Sequence, residues 1–365
     1  AVHTLLSHRL PTDEPPYASH TAKSEWLALI EGQHPLWEGI SDPYRETIRA
    51  FLAHFHHEII RTATKRPTPF DFRGGSIGNF FLTGSRLFFS SLEAAVFQFA
   101  RITRSPPMTE VVPVVTTGTG GVVSIAAALR DGAVVFGQCE ISHPGTVAGA
   151  GSRSRASSFK TPKPTSPKRT QSNLIFSKTE TMVPLASAIR RVFYVNPEKQ
   201  ETFPELSPLV APRLSPDRHV IYGCGSLYTS ILPCLVVPGV GRLLADAPSR
   251  YPRRHKILLL NGSHDRETSG YTALDFVLAL TDALNYSGGG VWHVDVTDGA
   301  AITAAGAEEL ESEGGKSYMV RPHRPCEYIT HMLYPEGGEL VVDLARIAAL
   351  GIACVLVPAR GGERG

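Results

Sequence analysis

The sequence predicts an α/β fold in which a mostly parallel sheet is flanked by helices. After residue 190, short apolar runs of β type alternate with segments of helical pattern, and Gly-rich or polar loops connect them. Strands that alternate with helices are typical of βαβ units, in which neighbouring strands run parallel. The chain has 365 residues, of which 42% are hydrophobic and 19% charged, so it can bury the large core that this fold class needs.

Helices are predicted first along the chain. Residues 24–32 and 41–60 have helical periodicity, and the second segment has Ser41 as its N-cap and Pro43 in its first turn. Residues 79–103 have the length of one further helix. Because this segment is apolar around most of its girth, we expect that helix to be buried.

Strands are predicted next, at 111–116 and at 122–141, where Asp131-Gly132 forms a hairpin turn. The remaining elements combine strands with helices. They are a strand at 191–197, strands that lead into helices at 219–235 and 256–284, and a helix that leads into a strand at 344–358.

Residues 151–172 interrupt this pattern with Ser, Pro, and six Lys or Arg residues, but no acidic residue. Such a segment has almost nothing to bury, so we predict a disordered insertion. We expect residues 1–358 to form a single domain around this insertion, and residues 359–365 to form a flexible tail.

Composition excludes several classes of protein. A formal net charge of +2 is too small to indicate a nucleic-acid-binding protein. Five cysteines without a Cys-x-x-Cys pair argue against a disulfide framework or a zinc site. No apolar run reaches the roughly 18 residues of a membrane span, and the start of the chain lacks the apolar core of a signal peptide. We therefore expect a cytoplasmic protein that does not bind membranes.

Ligands of parallel α/β sheets bind outside the carboxyl ends of the strands, which draws attention to the loops at 72–79, 223–230 and 261–271. The first turn of a helix has N–H groups without intrahelical partners, and they can bind phosphate. Glycines in the first two loops would allow close approach, and Arg73 could add a bidentate contact. The backbone alone could equally require these glycines.

The third loop is crowded with polar side chains: Asn261, His264, Asp265, Arg266 and Glu267. Such a group could hold a metal ion, a base edge or an acidic substrate. It could also be a self-satisfied surface loop in which Asp265 pairs with Arg266. Either Thr268 or Thr272 could cap the helix that follows.

Several segments, in this order, resemble the CofD/YvcK-like family. They are FRGGSIGNFFLTG, YGCGSLYTSILPCLVVPGV, LLLNGSHDRETSGYTALDFVLAL, and YITHMLYPEGG with LGIACVLVP. The family includes 2-phospho-L-lactate transferase of deazaflavin coenzyme synthesis and the bacterial gluconeogenesis factor. The N-terminal segment and the basic insertion are typical of a fungal branch.

The resemblance implies a Rossmann-like fold that binds a nucleotide ligand, GDP or a UDP-sugar. It carries the family's nucleotide- and phosphate-binding positions over to this chain, and it assigns no catalytic residue and no metal ligand. These positions are Arg73, Gly74, Gly75, Ser76, Gly78 and Asn79 in the first loop, Gly223, Gly225, Ser226, Tyr228, Thr229 and Ser230 in the second, and Asn261, Glu267 and Thr268 in the third. Gly75 and Cys224 depart from the family pattern.

Three functions remain open. The first is a nucleotide-binding regulator similar to gluconeogenesis factor. The second is a Mg²⁺-dependent transferase similar to the phospholactate enzyme, and the third is an inactive relic. The family's N-terminal Gly-Gly-Gly-Thr-Gly loop and its acidic segment are absent before residue 70, so we expect either a missing upstream part or loss of half the site. A homodimer also remains open.

Overall fold

The computed structural model describes residues 1–12, 18–65, 69–116, 123–142, 184–245, 254–289 and 322–359. These residues belong to two compact units, the first in Ala1–Pro113 and the second in Val114–Ser142 with the later part of the chain. Each unit contains a hydrophobic core of its own. The single domain over 1–358 stays a prediction. The insertion at 151–172 and all but the first residue of the tail at 359–365 lie outside the described residues.

The first unit is helical in its described regular elements. They are α1 (Val2–Ser7), α2 (Ala18–Glu31), a 3₁₀ turn (Pro35–Trp37), α3 (Asp42–Ala63), α4 (Ile77–Phe89) and α5 (Leu92–Ile102). The helices predicted at 24–32 and 41–60 are thus confirmed as α2 and α3. Ser41 is the N-cap of α3, with Pro43 in its first turn. The apolar face of α3 enters the core, where Ile48 and Leu52 are fully buried.

The prediction of one helix over 79–103 is wrong, because α4 and α5 are separate helices. Ser90 is in the left-handed region with φ 53°, which ends α4. Ser91 then caps α5, its Oγ accepting a hydrogen bond from the Ala94 N–H at 3.1 Å. Serine side chains compete for backbone groups and favour caps over helix interiors, which is the physical reason for the break.

The expected burial of this segment also holds only in part. Phe81 is fully buried in the core of the first unit, but Phe88 is 61% and Phe97 is 66% exposed. Because the segment forms two helices, its apolar residues are distributed between them, and each helix buries only one side.

The second unit contains an antiparallel sheet in the order β2-β1-β3-β4. Its strands are β1 (Ser124–Leu129), β2 (Val134–Phe136), β3 (Ile189–Val195) and β4 (Glu201–Thr202). The predicted hairpin is confirmed, since β1 pairs with β2 across a turn in which Gly132 has φ 87°. Asp131 supports this turn by accepting a hydrogen bond from the Ala133 N–H at 3.0 Å.

Two strand predictions in this region need correction. Residues 111–116 form no strand and contribute only an isolated bridge between Val115 and Leu206. Pro113 lacks a backbone donor, which disfavours a continuous ladder. The strand predicted to reach residue 141 ends earlier, because Gly137 has φ 91° and α6 (Gln138–Ser142) begins directly after it.

A parallel sheet in the order β5-β6-β7-β8 confirms the predicted α/β class. Its strands are β5 (Val220–Tyr222), β6 (Lys256–Leu259), β7 (His331–Pro335) and β8 (Ala353–Val357). The helices of this part are α7 (Leu232–Leu235), α8 (Val240–Leu244), α9 (Ala273–Ser287), α10 (Pro325–Tyr328) and α11 (Leu344–Ala349), together with a 3₁₀ turn at Ala211–Leu214. The predicted strand-to-helix units thus lie where the sequence placed them.

Helix α9 anchors the core of the second unit. Phe276, Leu280 and Leu284 are at most 1% exposed. Of the two predicted caps, Thr272 is the one used, and it forms a capping box with Asp275. Within the described parts of the chain, no helix is long and apolar enough to cross a bilayer.

Candidate functional site

The candidate site of the second unit lies at the carboxyl ends of β5 and β6, which are neighbouring parallel strands. β5 leads into residues 223–226 and then into a π-helical turn, Leu227–Ile231, that continues as α7. β6 leads into the polar loop 260–272, which ends at α9. The second and third predicted loops therefore meet at one edge of the sheet, as expected for parallel strands.

The side chain of Asn261 joins these two loops. Its Nδ2 donates to the Gly225 carbonyl at 2.8 Å, and its Oδ1 accepts from the Gly225 N–H at 3.2 Å. A carboxamide carries a donor and an acceptor side by side, so it can replace a backbone partner. Gly225 has φ 156°, which side-chain-bearing residues rarely adopt. The two hydrogen bonds of Asn261 thus stabilise Gly225 in a backbone conformation that is rare for other residues.

Glu267 supports the same loop from the protein interior, where only 2% of its surface is exposed. Its Oε2 accepts hydrogen bonds from the N–H groups of Tyr228 and Thr229 at 2.9 and 3.1 Å. Its Oε1 accepts a hydrogen bond from the Thr229 hydroxyl. N–H groups in the first turn of a helix have no intrahelical partners, and here a protein carboxyl group satisfies two of them. Direct contact between Glu267 and a nucleotide stays a prediction.

Burial raises the pKa of Glu267 to about 7, because removal from water disfavours the charged form. The hydrogen bonds from Thr229 and the two N–H groups oppose this shift, whereas the charge of Asp265 adds to it. The Glu267 carboxyl group, which supports the loop from the interior, therefore changes its charge near neutral pH.

The polar loop is organised by Asp265. Its Oδ1 accepts hydrogen bonds from the N–H groups of Glu267 and Thr268, both at 3.0 Å, and from the Thr268 hydroxyl at 2.7 Å. Thr268 is fully buried, and its carbonyl lies 2.8 Å from His264 Nδ1. Arg266 donates to the carbonyl groups of Glu140 and Ile141 at the end of α6. The polar groups of this loop thus form hydrogen bonds with one another. These bonds join Asp265 and Thr268, whereas the sequence had suggested an Asp265–Arg266 pair.

Three further predicted residues make internal contacts. Tyr228 is 3% exposed, and its hydroxyl lies 2.9 Å from the hydroxyl of Tyr271. Thr229 is 7% exposed and bonded to Glu267. Ser230 is exposed, and its N–H donates to the Ser226 carbonyl at 2.9 Å. Tyr271 was not a sequence candidate, since an isolated tyrosine before a helix carries no signal by itself.

Within residues 223–227, the first four residues are open to a ligand, whereas Leu227 is fully buried. Gly223 and Cys224 are exposed, and a Cβ atom added at Gly223 would meet no described atom beyond its chain neighbours within 4 Å. The N–H groups of Cys224 and Ser226 donate no hydrogen bond to any described residue. Backbone N–H groups gathered in this way can bind phosphate oxygens without a cationic side chain.

The first predicted loop belongs to the first unit and is described by itself. Nε and Nη2 of Arg73 pair with the carboxylate of Asp71 at 2.7 to 3.0 Å. Burial acts to raise the pKa of Asp71, but hydrogen bonds from Arg73 bring it below its usual value. Sequence reasoning missed Asp71, although an acid two residues before an arginine in a tight loop is a usable signal.

Protein contacts account for the glycines of this first loop. A Cβ atom at Gly75 would lie 2.4 Å from the ring of Phe80, and one at Gly78 would lie 2.6 Å from the Leu6 carbonyl oxygen. Gly74 has φ 63° and needs glycine for its conformation. Close packing and backbone conformation thus explain these residues without a ligand.

Backbone donors of this loop are also in use. The Gly74 N–H donates to the Leu10 carbonyl at 3.1 Å, and the Ile77 N–H donates to the His8 carbonyl at 3.0 Å. Ser76 is the N-cap of α4, its Oγ accepting from the Asn79 N–H at 3.4 Å. The phosphate-binding roles of Arg73, Gly74, Gly75, Ser76, Gly78 and Asn79 stay predictions.

No group of three or more His, Cys, Asp or Glu side chains could hold a metal ion in the portion of the chain that the structure describes. The cysteines do not form disulfides either: all five are described, and all are free thiols. The chemistry available at the β5–β6 edge is therefore that of backbone donors supported by a buried acid and a carboxamide.

The chain belongs to the CofD family. The family model described as 2-phospho-L-lactate transferase CofD matches residues 40–324. This match confirms the family that several segments of the sequence resemble. The matched residues include all three predicted loops.

Curated relatives come from yeast and bacteria. The chain is 31% identical to the uncharacterized protein YNL011C of Saccharomyces cerevisiae, over 77% of this chain and 67% of the yeast protein. It is 29% identical to gluconeogenesis factor of Bacillus subtilis over 46% of this chain and 47% of that protein. A similar match to gluconeogenesis factor of Halalkalibacterium halodurans has 30% identity and covers 42% of it. The chain thus spans less than half of either gluconeogenesis factor.

A solved structure is also similar. A UPF0052 family protein of Bacillus halodurans has a TM-score of 0.48 and 15% identity, with 86% of this chain and 75% of that chain covered.

Proposed function

We propose that this chain binds a nucleotide diphosphate or a nucleotide-sugar through residues 223–227 and acts as a metabolic regulator. The observation that carries the proposal is the open space at Gly223 beside the N–H groups of Cys224 and Ser226, which donate to no described residue. In the first loop, by contrast, the space beside Gly75 and Gly78 is filled by protein. The relatives called gluconeogenesis factor support a metabolic role.

The physical basis of binding is backbone hydrogen bonding to the diphosphate. The N–H groups of Cys224 and Ser226 lie two residues apart, and Ser226 directly precedes the helical turn. Such donors, together with the partial positive charge of a helix start, stabilise anionic oxygens. Glycine at 223 leaves room for close approach of the ligand to the backbone.

A transferase is the alternative, and the description of the family model favours it. In that reaction an acceptor alcohol oxygen would bond to the outer phosphorus of a guanosine diphosphate-linked donor, the phosphorus that carries the lactyl group. The bond from that phosphorus to the bridging oxygen would break, guanosine monophosphate would leave, and the alcohol proton would pass to solvent. Catalysis would then rest on positioning and on charge stabilisation at the diphosphate. An inactive relic of this enzyme is the third reading.

The described residues contain no group of three or more His, Cys, Asp or Glu side chains that could hold magnesium without a ligand, whereas magnesium bound with a nucleotide needs only one or two carboxylates. No step of the proposal passes through it. A magnesium ion carried by the diphosphate itself is compatible with the proposal, so magnesium is a variable of the test.

The test is calorimetric titration of the chain with GDP, UDP and UDP-N-acetylglucosamine, each with and without magnesium. The proposal expects saturable binding of at least one nucleotide without turnover. Consumption of a nucleotide-linked donor would favour the transferase. Absence of binding by all three in a folded protein would overturn the proposal.

A matched pair of variants tests the location. Gly223→Ala adds a methyl group that no protein atom contacts, so stability should not change, but the group enters the proposed ligand space. We expect about tenfold weaker binding, or about 1.4 kcal/mol. Gly262→Ala is the control, because its Cβ makes only an ordinary contact with Pro335 at 3.5 Å. Equal affinity of both variants would place the ligand elsewhere.

The first loop is tested separately. Removing Arg73 alone would leave the carboxylate of Asp71 half-buried and unpaired, so the variant is Arg73→Ala combined with Asp71→Asn. Unchanged nucleotide affinity in this folded double variant would show that the phosphate role assigned to Arg73 is wrong.

A further inference from the structure

The carboxyl group of Glu267 lies just behind the proposed nucleotide loop. Its oxygens bind the N–H groups of Tyr228 and Thr229, the residues that follow Leu227 directly. Consecutive Cα atoms are about 3.8 Å apart and a hydrogen bond spans about 2.9 Å. A phosphate oxygen on the Ser226 N–H, two residues before Tyr228, would therefore lie within roughly 13 Å of the Glu267 carboxyl group.

We propose that Glu267 is a positioning residue that couples nucleotide affinity to its own protonation, with tighter binding when its carboxyl group is neutral. This inference rests on the proposed function of residues 223–227. A charged carboxylate at this distance repels a diphosphate, and its burial removes most of the water that would screen the repulsion. Protonation removes the repulsion.

The neutral form keeps the shape of the loop. Oε2 can continue to accept from the N–H groups of Tyr228 and Thr229, while a proton on Oε1 is donated to the Thr229 hydroxyl. A hydroxyl group can act as donor or as acceptor, so Thr229 serves both protonation states. The loop is thus supported in both states, and only the charge behind it differs.

The sign and range of the effect follow from burial. Burial raises the pKa of Glu267 to about 7, so the carboxyl group is neutral below this pH and charged above it. Affinity should be highest under mildly acidic conditions and should fall as pH rises through 7. A bound diphosphate would raise this pKa further, which is the reciprocal of the same coupling.

Other charged or titratable groups lie near Glu267 and have to be controlled. They are His264, Asp265 and Arg266 on its own loop, Tyr228 on the loop after β5, Glu140, which interacts with Arg266, and Glu339, which accepts a hydrogen bond from the His264 N–H. His264 is replaced in the control variant, because its imidazole lies on the same loop, with Nδ1 2.8 Å from the Thr268 carbonyl.

The test uses UDP-N-acetylglucosamine, or GDP-mannose if only guanosine nucleotides bind. Both phosphates of these ligands are esterified on both sides, so the ligand does not titrate between pH 6 and 8.5. Dissociation constants are measured at these two pH values for the wild type, Glu267→Gln and the control His264→Gln. Glutamine is the neutral isostere, which can accept from the two N–H groups and donate to Thr229.

The wild type and His264→Gln should bind about tenfold more weakly at pH 8.5 than at pH 6, since two unit charges roughly 13 Å apart, at an effective dielectric constant of about 20, change an affinity by about that factor. Glu267→Gln should bind with the wild-type low-pH affinity at both values. A pH-independent wild type, or a Glu267→Gln variant that keeps the pH dependence, would overturn the inference alone. Absence of binding at every pH would overturn it together with the proposed function.

Discussion

At the scale of single residues, the buried carboxyl group of Glu267 determines the hydrogen bonding and the charge behind the loop at the β5–β6 edge. Its burial raises its pKa, while the Thr229 hydroxyl and two N–H groups provide hydrogen bonds for it. A carboxyl group whose pKa is higher in the folded state binds its proton more tightly there, so it contributes stability to the native protein at pH values below the unfolded-state pKa. This stabilisation is lost as pH rises through the folded-state pKa.

Glu267→Gln should therefore change how stability depends on pH. The ordinary pKa of this group is 4.5 and the folded value is about 7. The free energy of unfolding of the wild type should thus fall by about 3 kcal/mol relative to the variant between pH 4.5 and 7. Urea unfolding at pH 4.5, 6 and 7.5 measures this. Parallel curves for the two proteins would contradict the raised pKa.

A second prediction concerns Gly75, where glycine is required for steric reasons. Gly75→Ala places a methyl group 2.4 Å from the Phe80 ring and 2.9 Å from the Phe72 carbonyl oxygen. Overpacking of this kind costs about 1–3 kcal/mol of unfolding free energy. Gly223→Ala, whose methyl group has no protein neighbour, is the control in urea unfolding. A stability of Gly75→Ala equal to that of the control would show that the loop is not tightly packed.

Residue identity alone did not distinguish these glycines. Gly75, Gly78 and Gly223 stand in loops that look alike in sequence, each before an apolar helix. Their surroundings differ because Phe80 and Leu6 pack against the first loop, whereas no described residue other than its chain neighbours lies within 4 Å of a Cβ atom placed at Gly223. Such a difference arises from contacts between distant parts of the chain, which local pattern does not contain.

At the scale of elements, the start of α5 depends on a short-range signal. Ser91 accepts a hydrogen bond from the Ala94 N–H, whereas Ser41, the N-cap of α3, makes no side-chain capping bond. Ser91→Ala should therefore lower the free energy of unfolding by about 1 kcal/mol. Ser41→Ala is the matched control and should have a smaller effect in the same denaturant titration. Equal losses would mean that the capping bond of Ser91 contributes nothing.

Elements with one strong periodicity were the most predictable. α2, α3 and α9 were placed correctly because apolar residues at helical spacing face a core. The segment 79–103 was misjudged because its apolar residues surround the helix and mask the Ser90-Ser91 break. Residues 111–116 have β-type composition, but only Val115 finds a partner. Strand formation requires a neighbour, which composition does not supply.

At the scale of the whole molecule, nucleotide binding should stabilise the chain by mass action. A ligand that binds only the folded state stabilises it by about 2.7 kcal/mol at 100 times its Kd. UDP-N-acetylglucosamine at that concentration should therefore raise Tm by several degrees in a thermal scan, if it is the nucleotide that binds. Gly223→Ala at the same ligand concentration should show a smaller shift. A shift of equal size in the variant would contradict a site at residues 223–227.

The sequence by itself determined the α/β class, helices such as α2, α3 and α9, and most of the parallel strands, because periodicity and caps are local properties of the chain. The resemblance of several of its segments indicated the CofD family, which the family model confirms. The sequence also indicated the second and third loops, where Gly225 meets Asn261 and Tyr228 meets Glu267. Only the tertiary structure decided that Glu267 already occupies N–H groups expected for phosphate. Hydrogen-bond partners are chosen by spatial proximity, and proximity across the 38 or 39 residues between these groups exists only after the chain has folded.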